Sequence, residues 1–382
     1  MKLLKTSELK PGMKLVDSVV TPTGQHLAKA GEELTKQLIN KMKLYRVESA
    51  FVDVPKEEPK KALTPQNPSV VFAKQEALPE NQNTTYIEES KTHSQKVMAS
   101  QEFKGFQMDY IVAINNLKSV FNGVIKQELQ INEKALVESI ASLFVSRNTI
   151  TEVFDMIHQM HSMEDSVYAH CINVALISRM IGRWLHLEPH DLDILTCCGL
   201  LHDIGKLSIP EEILNKPGKL TDEEFEIIKS HPKAGYEYLR NQNIDSRIKR
   251  SALMHHERYD GSGYPNGLTS DLLSDYAMIV AIADVYDAMT AARSYRMPLC
   301  PFQVIANFEA DGFQKYHTKY IFTFLNHIAS TYANNRVMLN DGRACKIVML
   351  NKQALSRPMV RFDDGEYLDL STQHDLQITR IL

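Results

Sequence analysis

Residues 277–292 read AMIVAIADVYDAMTAA, a long and mostly apolar segment that belongs inside a folded core. Working outward from it, apolar residues keep recurring at helical spacing. Phe106, Tyr110, Ile111, Ile114, Leu117, Val120 and Phe121 repeat at three and four, as do Ala135, Leu136, Ile140, Leu143 and Phe144. Pro189 suits the first turn of a helix, and Thr221-Asp222-Glu223-Glu224 has the form of a capping box. No strand run of comparable weight interrupts residues 101–334, so this region is predicted to be a helical bundle.

The ends of the chain read differently. Residues 335–382 hold short apolar runs either side of Asn340-Asp341-Gly342 and of Asp363-Asp364-Gly365, a hairpin signal that predicts a small β appendage. Residues 1–54 read as a small α+β domain. Met13 to Val20 alternates like a strand before the turn Pro22-Thr23-Gly24, Leu34 to Leu44 has helical spacing, and Ser49 to Val54 closes as a strand. Residues 55–100 carry Pro55, Pro59, Pro65, Pro68 and Pro79 among polar stretches and are expected to be a linker. The predicted class is therefore mainly α, with a small α+β N-terminal domain and a short β appendage.

Composition narrows the function. The 382 residues are 43% hydrophobic and 24% charged, as in an ordinary globular chain. With 43 basic against 47 acidic residues, the net charge of −4 offers no excess for a nucleic-acid polymer. No apolar run approaches the length of a membrane span, and the first residues lack the apolar core of a secretory signal. The five cysteines, Cys171, Cys197, Cys198, Cys300 and Cys345, have no CxxC spacing; buried thiols in a cytoplasmic protein are expected.

Histidine is the informative residue. Of fourteen, nine lie between His158 and His256. His170 is followed 32 residues later by His202-Asp203; His231 lies 28 beyond Asp203; His255-His256 begins 24 beyond His231; Asp284 is 28 beyond His256. Such separations suit successive helices of a bundle, each projecting ligands inward. Taken singly, His170 or His231 would be an unremarked core or surface histidine, and His158, His161, His186 and His190 are read as structural. Together the seven exceed the needs of one ion, so two divalent metals are expected, with Asp203 as the bridge. Imidazole and carboxylate without thiolate favour Fe, Mn, Zn or Mg. Such a pair activates water and holds both oxygens of a phosphoryl centre in displacement. Lys206, Lys216 and Lys219, with Arg293 and Arg296, supply cations for phosphate, and residues 260–267, DGSGYPNG, form a rigid turning loop beside them.

These motifs resemble the HD-GYP family, a branch of the HD phosphohydrolase superfamily. The resemblance rests on His202-Asp203-Ile204-Gly205-Lys206, on His255-His256-Glu257-Arg258-Tyr259-Asp260-Gly261-Ser262-Gly263-Tyr264-Pro265, and on residues 213–220, 229–232 and 283–290, spanning about residues 165–330. It implies an HD-type bundle and a bacterial signalling enzyme that hydrolyses cyclic di-GMP to pGpG, in many members on to GMP, on an iron or manganese centre. It implies His170, His202, Asp203, His231, His255, His256 and Asp284 as metal ligands. It places Lys206, Arg293 and Arg296 on substrate phosphates, with Lys216 and Tyr264 beside the substrate and Asp203 and Lys206 in catalysis. Trinuclear members carry a glutamate four residues before the first histidine; here that position is Ser166, with Glu164 two residues off, so a dinuclear centre is expected. The first 53 residues are similar to a small domain often found ahead of such modules. The competing readings are a phosphodiesterase of another cyclic dinucleotide, such as cyclic GMP-AMP, and a cyclic-dinucleotide receptor working through a partner. The helices of residues 101–165 offer a face for a homodimer or a signalling partner.

Overall fold

The computed structural model describes residues 2–6, 9–20, 26–35, 38–39, 42, 47, 49–53, 97–145, 150–161, 166–216, 218–291 and 298–382. The chain divides into two compact units, Met1–Ser90 and Lys91–Leu382.

In the first unit, strands β1 (Lys2–Lys5), β5 (Ser49–Asp53) and β2 (Lys14–Leu15) form an antiparallel sheet in the order β1-β5-β2. Strands β3 (Val19–Val20) and β4 (His26–Ala28) pair separately. The expected single strand over residues 13–20 is thus two: after β2 the Val16 amide still donates to the Phe51 carbonyl (2.8 Å), and the chain then bends away from β5 to start a second pairing. The closing strand forms over Ser49–Asp53, and Val54 lies outside the described residues. Leu38, Ile39 and Met42, inside the expected helix, are helical and buried in a small core with Leu15, Leu34, Ala50 and Val52. The turn expected at residues 22–24 and all but the last four residues of the expected linker lie outside the described residues.

The second unit opens with α1 (Gln101–Ile125), whose Ser100 hydroxyl caps the helix by accepting from the Phe103 amide. Its buried residues, Phe103, Phe106, Tyr110, Ala113, Leu117, Phe121 and Val124, fall three and four apart and make one apolar stripe. Then come α2 (Glu133–Glu138), α3 (Ser142–Val145), α4 (Ile150–Met160), α5 (Val167–Trp184) and α6 (Pro189–Leu201). A 3₁₀ turn, Ile204–Ser208, leads to α7 (Glu211–Leu214), α8 (Asp222–Ile228), α9 (His231–Leu239), α10 (Ser246–Met254), α11 (Asp275–Thr290), α12 (Pro301–Lys315) and α13 (Thr318–Thr331). Pro189 stands in the first turn of α6, and Thr221 and Glu224 make the capping box of α8.

Helix α5 is the centre of the bundle, packed on α6 and α11 and buried on nearly every side from Cys171 to Met180. Close approach here depends on small residues: a Cβ on Gly199 of α6 would stand 2.5 Å from the Ala175 Cα. The apolar stretch of residues 277–283 is buried throughout within α11, as its composition requires.

The last strands, β6 (Arg336–Leu339), β7 (Ala344–Met349), β8 (Met359–Phe362), β9 (Tyr367–Asp369) and β10 (Ile378–Ile381), form an antiparallel sheet ordered β10-β6-β7-β8-β9. Both hairpins form where Asp-Gly predicts them, with Gly342 and Gly365 at φ of +86° and +94°. This sheet is more than an appendage. Its inward side chains Val337, Leu339, Cys345, Ile347, Val360 and Phe362 belong to the same apolar core as the helices. Glu309 of α12 accepts from the Leu355 amide (2.6 Å), joining helix to sheet.

Candidate metal centre

The expected ligands come from helix ends and helix middles that converge on one point. His170 lies in α5 and Asp284 in α11. His202 ends α6 and Asp203 opens the 3₁₀ turn; His231 begins α9; His255 and His256 follow α10. His202, Asp203, His231 and His255 are wholly enclosed, and Asp284 is 6% exposed.

Asp203 is the hub. Its Oδ1 lies 3.2 Å from His231 Nε2 and 3.6 Å from His255 Nε2. Its Oδ2 lies 3.4 Å from both His170 Nε2 and His202 Nε2. Donor atoms of Asp203, His231, His255 and His256 lie within 4.8 Å of one another, and so do those of His170, His202 and Asp203. Two groups therefore share one carboxylate. Asp284 stands beside both, with Oδ1 3.1 Å from His170 Nε2 and Oδ2 3.8 Å from His256 Nδ1.

The far nitrogens show which way the lone pairs point. His202 Nδ1 faces the Gly199 carbonyl (2.7 Å), His231 Nδ1 the Ile228 carbonyl (2.6 Å), and His255 Nδ1 the Ala252 carbonyl (3.0 Å). A carbonyl only accepts, so each Nδ1 carries a hydrogen and each Nε2 faces inward, where a neutral ring offers a lone pair. His231 Nε2 and His255 Nε2 then face each other at 3.2 Å. His170 Nε2, His202 Nε2 and Asp203 Oδ1 are buried without a hydrogen-bond partner among the described residues, and Asp203 Oδ2 meets the Lys206 ammonium. Inward lone pairs and anionic oxygens crowded in a buried space repel one another unless a cation lies between them. The donor set fits a divalent metal, and the His/Asp cluster is able to hold one.

Electrostatics agree. Burial alone would raise the Asp203 carboxyl, but Lys206 and His202 hold it well below the usual carboxylate range. Asp284 is held low against burial by His170 and His256. Burial lowers His255 to about 4, and burial with His255 beside it lowers His256 well below its ordinary value, so both rings are neutral at physiological pH. His202 is the opposite: burial opposes its charge, but Asp203 raises it well above the ordinary value, so a proton there competes with a metal.

Lys206 Nζ lies 2.5 Å from Asp203 Oδ2, one turn on. Tyr264 stacks on His256 at 4.6 Å between ring centroids and stays a neutral phenol, because burial raises it. The peptide bond between Tyr264 and Pro265 is cis. Lys216 is engaged elsewhere, with Nζ 2.8 and 2.6 Å from the two Glu224 oxygens. Arg293, Arg296 and Glu164 lie outside the described residues. Ser166 caps α5, its hydroxyl accepting from the Ala169 amide at 3.2 Å.

Three residues in the site escaped sequence reasoning. Glu257, 3% exposed, accepts from the Asn266 amide (2.7 Å) and the Leu268 amide (2.9 Å), holding the glycine loop; its place between the histidine pair and that loop was the available signal. Asp287 receives His170 Nδ1 and His161 Nε2, each at 2.7 Å. A second acid one turn beyond Asp284 in an apolar helix was the clue to it. His161, read as structural, had none.

Residues 135–317 match the family described as HD domain. That match is consistent with the HD-GYP resemblance of the motifs it contains. The cyclic di-GMP phosphodiesterase response regulator RpfG of Xanthomonas campestris pv. campestris is 44% identical over 122 residues, covering 31% of this chain and 32% of that protein. The 3'3'-cGAMP-specific phosphodiesterase 2 of Vibrio cholerae is 34% identical over 193 residues, covering 50% of this chain and 37% of its own. The chain thus spans about a third of the length of these relatives. Among solved structures, Bd1817, an HDG"Y"P protein from Bdellovibrio bacteriovorus, superposes with a TM-score of 0.50 at 14% identity, covering 86% of this chain and 99% of that one. At that identity the likeness concerns the fold. No described helix is long and apolar enough to cross a membrane.

Proposed function

We propose that the chain is a metal-dependent phosphodiesterase of cyclic dinucleotides, with cyclic di-GMP as its substrate and pGpG as its first product. The observation that carries this reading is Asp203 shared between two ligand groups, with Lys206 beside it. Two divalent ions, iron or manganese, would be held by His170, His202, Asp203, His231, His255, His256 and Asp284. Bound there, such ions supply Lewis acidity at a phosphoryl centre and a nucleophilic water at neutral pH.

The chain's own residues do the rest. Asp203 and Asp284 supply the anionic oxygens that hold the cations. Lys206 keeps its proton, since Asp203 and Asp284 outweigh the burial that would lower it, and presents a fixed positive charge to a non-bridging phosphate oxygen. The Tyr264 ring, packed on His256, forms an apolar wall beside the reacting phosphate. Arg293 and Arg296 are proposed to meet the second phosphate, and Lys216 to do so once released from Glu224. With Ser166 turned to the helix end, a dinuclear centre is favoured, and pGpG is expected to be hydrolysed slowly.

The test is turnover of cyclic di-GMP by protein purified without oxygen, with metal content measured on the same sample. Linear pGpG and about two ions per chain support the proposal. Saturable binding without product from a metal-loaded sample would replace it with a receptor. A second reading, hydrolysis of 3'3'-cyclic GMP-AMP, is favoured by the Vibrio cholerae relative and is read from the same assay by comparing kcat/KM for the two substrates.

A further inference from the structure

Both oxygens of Asp287 are committed, Oδ1 to His161 Nε2 and Oδ2 to His170 Nδ1, each at 2.7 Å. The carboxylate is 2% exposed and His161 8%. Rotating the carboxylate to improve one contact loses the other.

His170 has a choice that the carbonyl-bonded histidines lack. Asp287 lies on its Nδ1 side, and Asp284 lies 3.1 Å from its Nε2. A neutral imidazole carries one N–H. If the hydrogen sits on Nδ1, Asp287 accepts it and Nε2 offers a lone pair to a cation. If it sits on Nε2, Asp284 or Asp203 accepts it and the lone pair is lost. His202, His231 and His255 face backbone carbonyls instead, which fix their hydrogen without a partner side chain.

We propose that Asp287 and His161 are a positioning pair for His170. Asp287 holds the hydrogen on Nδ1, and His161 holds the Asp287 carboxylate in the orientation that does so. His170 belongs to the group with His202 and Asp203, not to the group of Asp203, His231, His255 and His256. The pair therefore governs one of two metal subsites and leaves the other alone. This inference rests on the dinuclear reading above.

The test uses the whole chain stripped of metal. The first readout is the tautomer of His170, observed by long-range ¹⁵N–¹H NMR on protein labelled at histidine, at a pH high enough for the ring to be neutral, since Asp284 and Asp287 raise it against burial. The wild type is expected to carry its hydrogen on Nδ1, and Asp287→Leu on Nε2; Asp287→Asn, which keeps an acceptor oxygen, restores Nδ1. The second readout is Mn²⁺ titration. One equivalent is expected to bind Asp287→Leu as in the wild type, and the other to weaken by roughly 10–100-fold, the range for removed partners of metal-bound histidines. His161→Phe is expected to weaken the same equivalent by a smaller factor. An unchanged His170 tautomer in Asp287→Leu overturns the proposal, and so does equal weakening of both equivalents. If Asp287→Leu does not fold, His161→Phe carries the Mn²⁺ comparison, and wild-type Mn²⁺ affinity in His161→Phe overturns the proposal. A wild type that binds a single ion would sink the dinuclear reading, while the tautomer still decides the positioning role.

Discussion

Gly205 lies two residues beyond Asp203, where the 3₁₀ turn meets the start of α9. A Cβ there would stand 2.0 Å from the His231 carbonyl oxygen, 2.5 Å from the Gly235 nitrogen and 3.0 Å from the Gly235 Cα. All three atoms are backbone, so no side chain can rotate away. Reaching ordinary contact near 3.4 Å requires the first turn of α9 to retreat by about 1.4 Å. That turn carries His231, whose Nε2 is 3.2 Å from Asp203 Oδ1. Metal–ligand distances tolerate only about 0.2 Å, so the retreat would take the proposed ligand His231 out of reach. Gly205→Ala is expected to cost about 1–3 kcal/mol of stability from overpacking and about 100-fold in turnover from misplacement. Gly105→Ala is the control: it lies in α1 with nothing within 4 Å of the added carbon and is expected to stabilise by up to about 1 kcal/mol. Urea unfolding of the metal-free proteins, Mn²⁺ titration and cyclic di-GMP turnover measure the three quantities. Should Gly205→Ala match the wild type in all three, the tight contact is not what seats His231.

Asp203→Ala is expected to abolish turnover and to lower bound metal below one ion per chain, because both ligand groups share that carboxylate; metal analysis beside the activity assay checks it. Glu257→Gln loses a charged acceptor for the Asn266 and Leu268 amides, a loss of about 1–3 kcal/mol felt in the loop; limited proteolysis within residues 260–268 should quicken, and an unchanged cleavage rate would refute the anchoring role. His158 gives a pH dependence. Burial, then His161, lowers it to about 3 from the ordinary 6.5, so between those values the unfolded chain holds the extra proton and stability falls as pH falls. The loss by pH 5 is about 2 kcal/mol, and His158→Gln should remove it; urea midpoints at pH 7 and pH 5 in a chelator, if equally separated in both proteins, would rule this out.

Much of the molecule is legible in residue order because the physics there is local. Periodicity at three and four exposes α1, since a helix buries one stripe. Asp-Gly between apolar runs marks both hairpins, since those turns need positive φ, and Pro189 and Thr221 mark helix starts by their backbone chemistry. The seven candidate ligands stand out as histidines and acids at helix-length separations, before any contact is known. What sequence could not supply is everything that depends on two distant elements meeting. The alternation over residues 13–20 does not say that β2 and β3 take different partners. Short strands at the chain end do not say that their inner faces join the helical core. Lys216 reads as a cation free for phosphate, and only folding brings Glu224 to it. The division of the ligands into two groups sharing Asp203, and the grip of Asp287 on His170 and His161, are likewise tertiary facts. Residue order determined which groups are available and on what kind of element; the packing of α5, α6, α9 and α11 decided which lone pairs face one another, because that depends on angles between helices that no single segment encodes.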